Sequence, residues 1–231
     1  MWIGGRPEVL LHSADLNGSL ARADATLVMR SLRLACLLLI LAPTAANATG
    51  SGDGSLLAPA VLERALHAFA RVEAAGRVRN RLLTVINYAL PSSQRRLWVL
   101  EPDTRKILFH EFVAHGKGSA PESNPDRAVR FGNGMGSFRS SLGTFLTGET
   151  YTGEHGYSLR LEGLDPGVND LAEERQIVIH PADYVSRLFR MRSGGRLGRS
   201  WGCPALDPGV APEIIDRIQA GSVLFAAGSG S

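Results

Sequence analysis

The chain has 231 residues, of which 44% are apolar and 20% are charged. These values suit one globular domain with a buried core, and they exclude a disordered polyampholyte or a protein with many membrane spans. The formal net charge of +3 is too small to indicate a nucleic-acid-binding surface, so no nucleic-acid partner is predicted.

The first predicted element is an export signal. A short basic stretch begins at Met29, the uncharged apolar run 34–42 follows, and an Ala-Asn-Ala tripeptide ending at Ala48 is a typical cleavage pattern. The apolar run is too short to span a bilayer, so no stable membrane anchor is predicted after cleavage. We predict that residues 1–28 are an upstream extension and that residues 29–48 are the signal peptide, with a buried core helix as the alternative.

Residues 49–82 are predicted to hold a glycine-rich leader and an N-terminal helix. Apolar residues recur at helical spacing over residues 57–75, and Gly76 ends the pattern. Two shorter helices are predicted at 182–192 and at about 208–219, where Asp-Pro supplies a cap and a first turn.

Short apolar runs separated by turn-forming residues predict strands between these helices. The predicted strands are 82–88, 97–100, 107–114, 142–146, 157–161 and 177–180. The connection 116–136 is long, and long ordered loops over a sheet commonly carry function. The pattern therefore predicts a mostly β, β-rich α+β fold with a few peripheral helices.

Cys203 is the first candidate for chemistry. Once the signal peptide has left with Cys36, Cys203 is the one thiol of the mature chain, and an unpaired thiol in an exported protein is either buried or used. Arg196 and Arg199 supply positive charge nearby, and Gly202 allows a substrate to approach the backbone. Because Pro204 has no N–H, oxyanion donors must come from the amides of Cys203 and of Gly202 or Trp201.

A cysteine nucleophile needs a base, and His180 is the best placed histidine. It ends the apolar run 177–179, so a rigid strand can aim its ring. A zinc site is the alternative, although no His-x₃-His or Cys-x₂-Cys spacing supports it. Its ligands would be His110, His115, His155, His180 and Cys203. No metal or other cofactor is predicted.

Several segments resemble the murein L,D-transpeptidase catalytic-domain family, a branch of the YkuD-like enzymes. They are Ile177-Val178-Ile179-His180, the segment Gly195 to Leu206 containing Ser200-Trp201-Gly202-Cys203-Pro204, His115-Gly116-Lys117-Gly118-Ser119, Ser140-Ser141-Leu142-Gly143 and Gly153-Glu154-His155-Gly156-Tyr157. The resemblance implies a mostly β L,D-transpeptidase domain over 83–227, with Cys203 and His180 as catalytic residues.

The implied substrate is the stem peptide of peptidoglycan, reached in the periplasm or cell-wall space. As a hypothesis, His180 takes the proton of Cys203, whose thiolate attacks an L-centre carbonyl and forms a thioester with release of the terminal D-residue. The backbone of Gly202 and Trp201 would hold the oxyanion. Candidate substrate-binding residues are Arg199, Arg196, Ser200, His115 and Tyr184.

Two alternatives remain open on the sequence alone. A murein hydrolase or carboxypeptidase would use the same Cys–His pair with water as the acceptor, and a non-catalytic cell-wall binding module would keep only the fold. The chain also departs from the better-known YkuD pattern at Trp201, where that pattern has histidine, and at Pro181, where glycine is usual. A backbone carbonyl near Pro181, or a hydroxyl of Ser186 or Ser200, is expected to orient the His180 ring.

Overall fold

The computed structural model describes residues 57–229, so the predicted extension, signal peptide and leader before Leu57 lie outside the described residues. Within that range eight strands form one sheet, accompanied by three α-helices and two short 3₁₀ helices. The strands are β1 (Leu83–Asn87), β2 (Leu97–Leu100), β3 (Ile107–Glu111), β4 (Gly143–Gly153), β5 (Gly156–Gly163), β6 (Val178–Pro181), β7 (Ala205–Leu206) and β8 (Val223–Ala227). The helices are α1 (Pro59–Ala74), α2 (Arg187–Arg192) and α3 (Ala211–Ile218), with 3₁₀ turns at Lys117–Ser119 and Asp183–Val185. The predicted mostly β fold with few helices is confirmed.

The order of strands across the sheet is β3-β2-β1-β8-β4-β5-β6-β7. The pairs β1/β8 and β6/β7 are parallel, and the other neighbours are antiparallel. The sequence did not predict the central strand β8, whose five residues are all buried. A short apolar run buried on both faces has no alternation, so periodicity does not distinguish it from a helix segment.

The central strands are covered on both faces. Leu83 and Val85 of β1 pack with Phe69 and Val72 of α1 in one apolar cluster. Ile86 lies on the opposite face of β1. It belongs to a second cluster that includes residues of α3, β5 and β6. Because side chains alternate along a strand, β1 contributes to both cores and is apolar on both faces.

The two C-terminal helices differ from their predicted bounds. The hydroxyl of Ser186 accepts the N–H of Phe189 at 3.2 Å and caps α2, so the predicted helix 182–192 is divided into a 3₁₀ turn and a short α-helix. The second helix begins at Ala211 because Asp207 first holds a turn through its side chain and carbonyl. Within residues 57–229, no helix is both long and apolar enough to cross a membrane.

The hairpin of β4 and β5 is longer than its two predicted strands. The strands pair from Phe145 opposite Gly163 to Gly153 opposite Gly156. The turn between them carries exposed Glu154 and His155. This hairpin brings His155 toward the end of β6, where His180 lies.

Candidate active site

The strands β6 and β7 bring the predicted nucleophile and base to one end of the sheet. In this parallel pair His180 lies opposite Ala205, and Cys203 precedes Ala205 by two residues. The backbone N–H of Val178, two residues before His180, lowers the pKa of the Cys203 thiol. Cys203 and His180, which are 23 residues apart in sequence, are thus neighbours across two short strands.

The His180 ring is oriented by a backbone carbonyl. Its Nδ1 lies 2.9 Å from the carbonyl oxygen of Pro181. A carbonyl only accepts hydrogen bonds, so we assign the proton to Nδ1, which leaves the Nε2 lone pair of the neutral ring to accept a proton. The proline that replaces the usual glycine therefore supplies the acceptor through its main chain.

The surroundings of His180 favour its neutral form. Burial lowers the pKa of His180, the Pro181 carbonyl opposes that effect, and charge on His155 lowers the pKa further. The two histidine rings stack with their centroids 4.7 Å apart. His180 is therefore unprotonated at neutral pH, which is the state that a general base requires.

The Cys203 thiol is buried and points at a backbone carbonyl. Its Sγ lies 3.7 Å from the carbonyl oxygen of Gln176, a residue with a left-handed backbone at φ 55°. Burial raises the pKa of Cys203, while the Val178 N–H and the charge of Arg175 lower it. Among the hydrogen bonds of the described residues, none joins the thiol to the His180 ring. Because the pKa of Cys203 is raised and that of His180 is lowered, both groups are neutral at rest.

Two serine hydroxyls hold residues 200–204, the cysteine loop that carries Cys203 and leads into β7. The Ser200 hydroxyl donates to the Cys203 carbonyl at 2.6 Å and accepts the Gly202 N–H at 3.0 Å. The Ser140 hydroxyl donates to the Gly202 carbonyl at 3.0 Å and accepts the Gly116 N–H at 3.0 Å. The Gly202 amide is therefore engaged by Ser200, which leaves the amides of Cys203 and Trp201 as the remaining predicted oxyanion donors.

Glycine is required at two positions where this loop meets its neighbours. Gly202 has φ 132°, and a side-chain carbon there would lie 2.9 Å from the Arg139 carbonyl oxygen. A side-chain carbon on Gly116 would lie 2.3 Å from the Phe138 carbonyl oxygen and 2.9 Å from the Gly202 Cα. Both glycines allow backbones to approach closely beside Cys203.

An exposed aromatic surface adjoins the cysteine loop, made of Lys117, Phe138 and Trp201. The Trp201 side chain is 70% exposed, and its ring meets the Phe138 ring edge-on at 5.6 Å. The Lys117 ammonium lies 4.2 Å from the Phe138 ring centroid and 5.3 Å from that of Trp201. Phe138 has φ 54°, an uncommon conformation for a bulky residue, and such backbone strain clusters at functional sites.

The predicted substrate-binding residues occupy different environments. Arg199 is exposed and Arg196 is half-buried. Tyr184 packs so closely on Gly198 that a side-chain carbon there would lie 2.5 Å from the Tyr184 Cβ. Burial raises the pKa of Tyr184, and negative charge on Cys203 adds to the effect. Ser200 is buried within the cysteine loop.

His115 is fully buried beside a buried arginine. Its Nδ1 lies 2.8 Å from Nη2 of Arg96, so we assign its proton to Nε2, which has no hydrogen-bond partner among the described residues. Burial and the charges of Arg96 and Arg199 lower the pKa of His115 to about 3. The His115 carbonyl accepts the N–H of Ser200 at 3.0 Å, so this residue supports the cysteine loop through its main chain.

Arg175 and Arg96 are residues of this site that the sequence did not single out. Arg175 lies two residues before the apolar run 177–179 that leads into β6, and its charge acts on Cys203. Its position before a buried strand was the available signal. Among residues 57–229 no three His, Cys, Asp or Glu side chains form a group that could hold a metal ion.

The sequence profile of the L,D-transpeptidase catalytic domain matches residues 54–227. The chain belongs to this family. The match contains both Cys203 and His180, and it bears out the resemblance read from the motifs. No curated protein matches the chain.

Solved structures of L,D-transpeptidases resemble this L,D-transpeptidase domain at low sequence identity. An L,D-transpeptidase from Mycobacterium smegmatis is 16% identical with a TM-score of 0.37, over 63% of this chain and 58% of that one. L,D-transpeptidase 1 from Mycobacterium tuberculosis is 14% identical with a TM-score of 0.36, over 64% of this chain and 62% of that one. An L,D-transpeptidase from Xylanimonas cellulosilytica is 14% identical with a TM-score of 0.36, over 68% of each chain. The match therefore spans less than two thirds of the length of the two mycobacterial proteins.

Proposed function

We propose that the chain is an exported cysteine L,D-transpeptidase that acts on peptidoglycan stem peptides through an acyl-cysteine thioester. The observation that carries this proposal is the parallel pairing of β6 with β7, which brings a neutral His180 beside Cys203 in a domain of this family. The Nδ1 of His180 is held by the Pro181 carbonyl, so its Nε2 is the atom that accepts the thiol proton.

Acylation begins when the Cys203 side chain rotates from the Gln176 carbonyl toward His180. Nε2 takes the thiol proton, and the sulfur attacks the carbonyl carbon of an L-centre residue in a tetrapeptide stem. The amides of Cys203 and Trp201 stabilise the oxyanion. The tetrahedral intermediate then collapses, the bond to the terminal D-residue breaks, and the leaving amine takes the proton from His180.

Deacylation uses the same two side chains in reverse. An amine of a neighbouring stem loses a proton to Nε2 and attacks the thioester, and the sulfur leaves as the thiol with that proton. Water in place of the amine gives a carboxypeptidase or hydrolase. The acceptor alone distinguishes these activities, because the acyl-enzyme is common to both.

The substrate is proposed to lie across the exposed surface made of Lys117, Phe138 and Trp201. Stem peptides carry free carboxylates, which Lys117, Arg199 and Arg196 attract. The Trp201 ring, being 70% exposed, offers apolar contact area at low conformational cost. Three of the predicted substrate-binding residues act indirectly, by holding the cysteine loop and its surroundings. They are Ser200, His115 and Tyr184.

Mass spectrometry of purified tetrapeptide-stem fragments incubated with the chain tests this proposal. We expect loss of the terminal D-residue together with cross-linked dimers, and neither product with Cys203→Ala or His180→Ala. Trimmed stems without dimers would assign the carboxypeptidase alternative. Absence of both products with folded, reduced protein would leave the non-catalytic binding module.

Export is tested separately by the N-terminus of the protein recovered from the cell envelope. We expect the mature chain to begin at Thr49, after the signal peptide 29–48. A mature N-terminus upstream of Leu34 would contradict the signal-peptide prediction.

A further inference from the structure

Arg175 links the cysteine loop to the connection that precedes β4. Its Nη1 donates to the Gly132 carbonyl at 3.0 Å and to the Ser141 hydroxyl at 2.6 Å. Its Nη2 donates to the Arg139 carbonyl at 2.6 Å. All three acceptors are neutral and lie within ten residues of one another, so one guanidinium fixes the path of this whole segment.

The same guanidinium lies against the residue that precedes the nucleophile. A side-chain carbon on Gly202 would lie 3.1 Å from Arg175 Nη2 and 2.9 Å from the Arg139 carbonyl oxygen that this nitrogen binds. Arg175 therefore contacts the cysteine loop directly and also through the carbonyl it holds. Because Gly202 has no side chain, the Arg175 guanidinium can lie against its backbone.

The positive charge of Arg175 is not neutralised locally. None of the ion pairs formed between described side chains includes Arg175. The pKa of Arg175 is lowered by burial, and negative charge on Cys203 opposes that effect. A half-buried guanidinium with only neutral acceptors favours an anion beside it. The Cys203 thiol belongs to the residue after Gly202, against which this guanidinium lies.

We propose that Arg175 is a positioning residue whose charge stabilises the Cys203 thiolate and whose hydrogen bonds hold the backbone around Gly202. This inference rests on the proposed role of Cys203 as nucleophile. Arg175 lies three residues before β6, so it acts on the cysteine loop from a different part of the chain.

The rate of Cys203 alkylation by iodoacetamide, measured against pH by intact mass, tests this inference without any substrate. We expect Arg175→Gln to raise the midpoint of the profile by about one pH unit, which is about tenfold less thiolate at a fixed pH below the midpoint. The midpoint is the readout because thiolate reactivity itself rises with its pKa and partly offsets the rate.

Two further variants separate charge from scaffold. Arg175→Lys keeps the charge and loses the three-way hydrogen bonding, so we expect a midpoint close to that of the wild type together with a lower melting temperature. Arg130→Gln is the matched control, because Arg130 is an exposed arginine that also donates to backbone carbonyls, those of Gly118 and Ala120. Its alkylation profile should not change.

A folded Arg175→Gln variant with the wild-type midpoint would overturn the inference. If the glutamine variant does not fold, the lysine variant decides, since a midpoint raised in Arg175→Lys would show that charge at this position does not control the thiol. Because alkylation requires no turnover, these outcomes are independent of whether the chain cross-links stem peptides.

Discussion

Replacement of Ser200 by alanine tests how the cysteine loop is built. Ser200 is 5% exposed, and its hydroxyl donates to the Cys203 carbonyl at 2.6 Å and accepts the Gly202 N–H at 3.0 Å. Its removal leaves one acceptor and one donor without a partner, at about 1–3 kcal/mol each when no water reaches them. The loop adjoins exposed Trp201, so water replaces part of this loss, and we expect the free energy of unfolding to fall by about 2 kcal/mol.

Turnover should fall as well, for a reason distinct from loss of the base. Ser200 holds the Gly202 N–H and the Cys203 carbonyl, which flank the Gly202–Cys203 peptide group on either side. Its loss should therefore lower kcat/KM by displacing the oxyanion donors. The decrease should stay below the ~10²–10⁴-fold expected for removal of the general base in His180→Ala. In a plot of kcat/KM against pH, the acidic limb follows deprotonation of His180. This limb should not move in Ser200→Ala, because the Nδ1 of His180 bonds to the Pro181 carbonyl and not to Ser200.

Urea denaturation and stem-peptide kinetics measure the two effects, and Ser186→Ala is the matched control. The Ser186 hydroxyl caps α2 by accepting the Phe189 N–H, so its loss should cost about 1 kcal/mol of stability and leave turnover unchanged. A Ser200→Ala variant with wild-type stability and turnover would refute the assigned loop structure. A shifted acidic limb in that variant would instead make the Ser200 hydroxyl the group that orients His180.

Three further perturbations have expected outcomes. One carbapenem molecule should acylate each protein molecule, and peptide mass spectrometry should place the adduct on Cys203. The Cys203→Ala variant should be inactive and form no adduct, while its circular dichroism spectrum stays unchanged. Pro181→Gly should keep substantial activity, because its carbonyl remains, while calorimetry shows a loss of about 0.4–1 kcal/mol from the freer unfolded chain; near-complete inactivation of a folded variant would contradict the carbonyl assignment. In kcat/KM against pH, the acidic limb follows deprotonation of His180 and should lie below 6.5, since the pKa of His180 is lowered. His155→Phe keeps a stacked ring but removes a charge that lowers that pKa, so the limb should move upward, and an unmoved limb would mean that His155 has no electrostatic influence on the base.

The sequence predicts most strands because their apolar runs are bounded by turn formers. Strand β1, for example, was predicted at 82–88 and spans Leu83–Asn87. Strand β8 could not be predicted in the same way, because Val223–Ala227 is uniformly apolar and buried. Its parallel pairing with β1 joins segments 140 residues apart, as Leu83 opposite Val223 shows, and local sequence patterns hold no information about such a contact.

The residues of the candidate site also differ in how far the sequence predicts them, according to whether their role depends on a local motif or on distant contacts. Cys203 and His180 stand in recognisable motifs, and Pro181 could be named as an orienting group because it follows the histidine directly. Arg175 could not, since its importance depends on three acceptors between Gly132 and Ser141 whose carbonyl and hydroxyl directions are set by loop geometry. For His115, the sequence motif could be recognised, but its burial beside Arg96 could not be predicted.

The electrostatics of the site explain why the thiol and the base need not form an ion pair at rest. Burial raises the pKa of Cys203 and lowers that of His180, so both shifts oppose transfer of the proton from sulfur to nitrogen. A neutral thiol bonded to the Gln176 carbonyl is less nucleophilic than a thiolate and less prone to oxidation in an oxidising compartment. In the proposed mechanism, proton transfer becomes favourable only as negative charge moves from sulfur to the substrate oxyanion, which the Cys203 and Trp201 amides stabilise. Under the proposed mechanism, Arg175 limits the cost of the intervening thiolate, and Cys203 becomes reactive mainly when a stem peptide is bound.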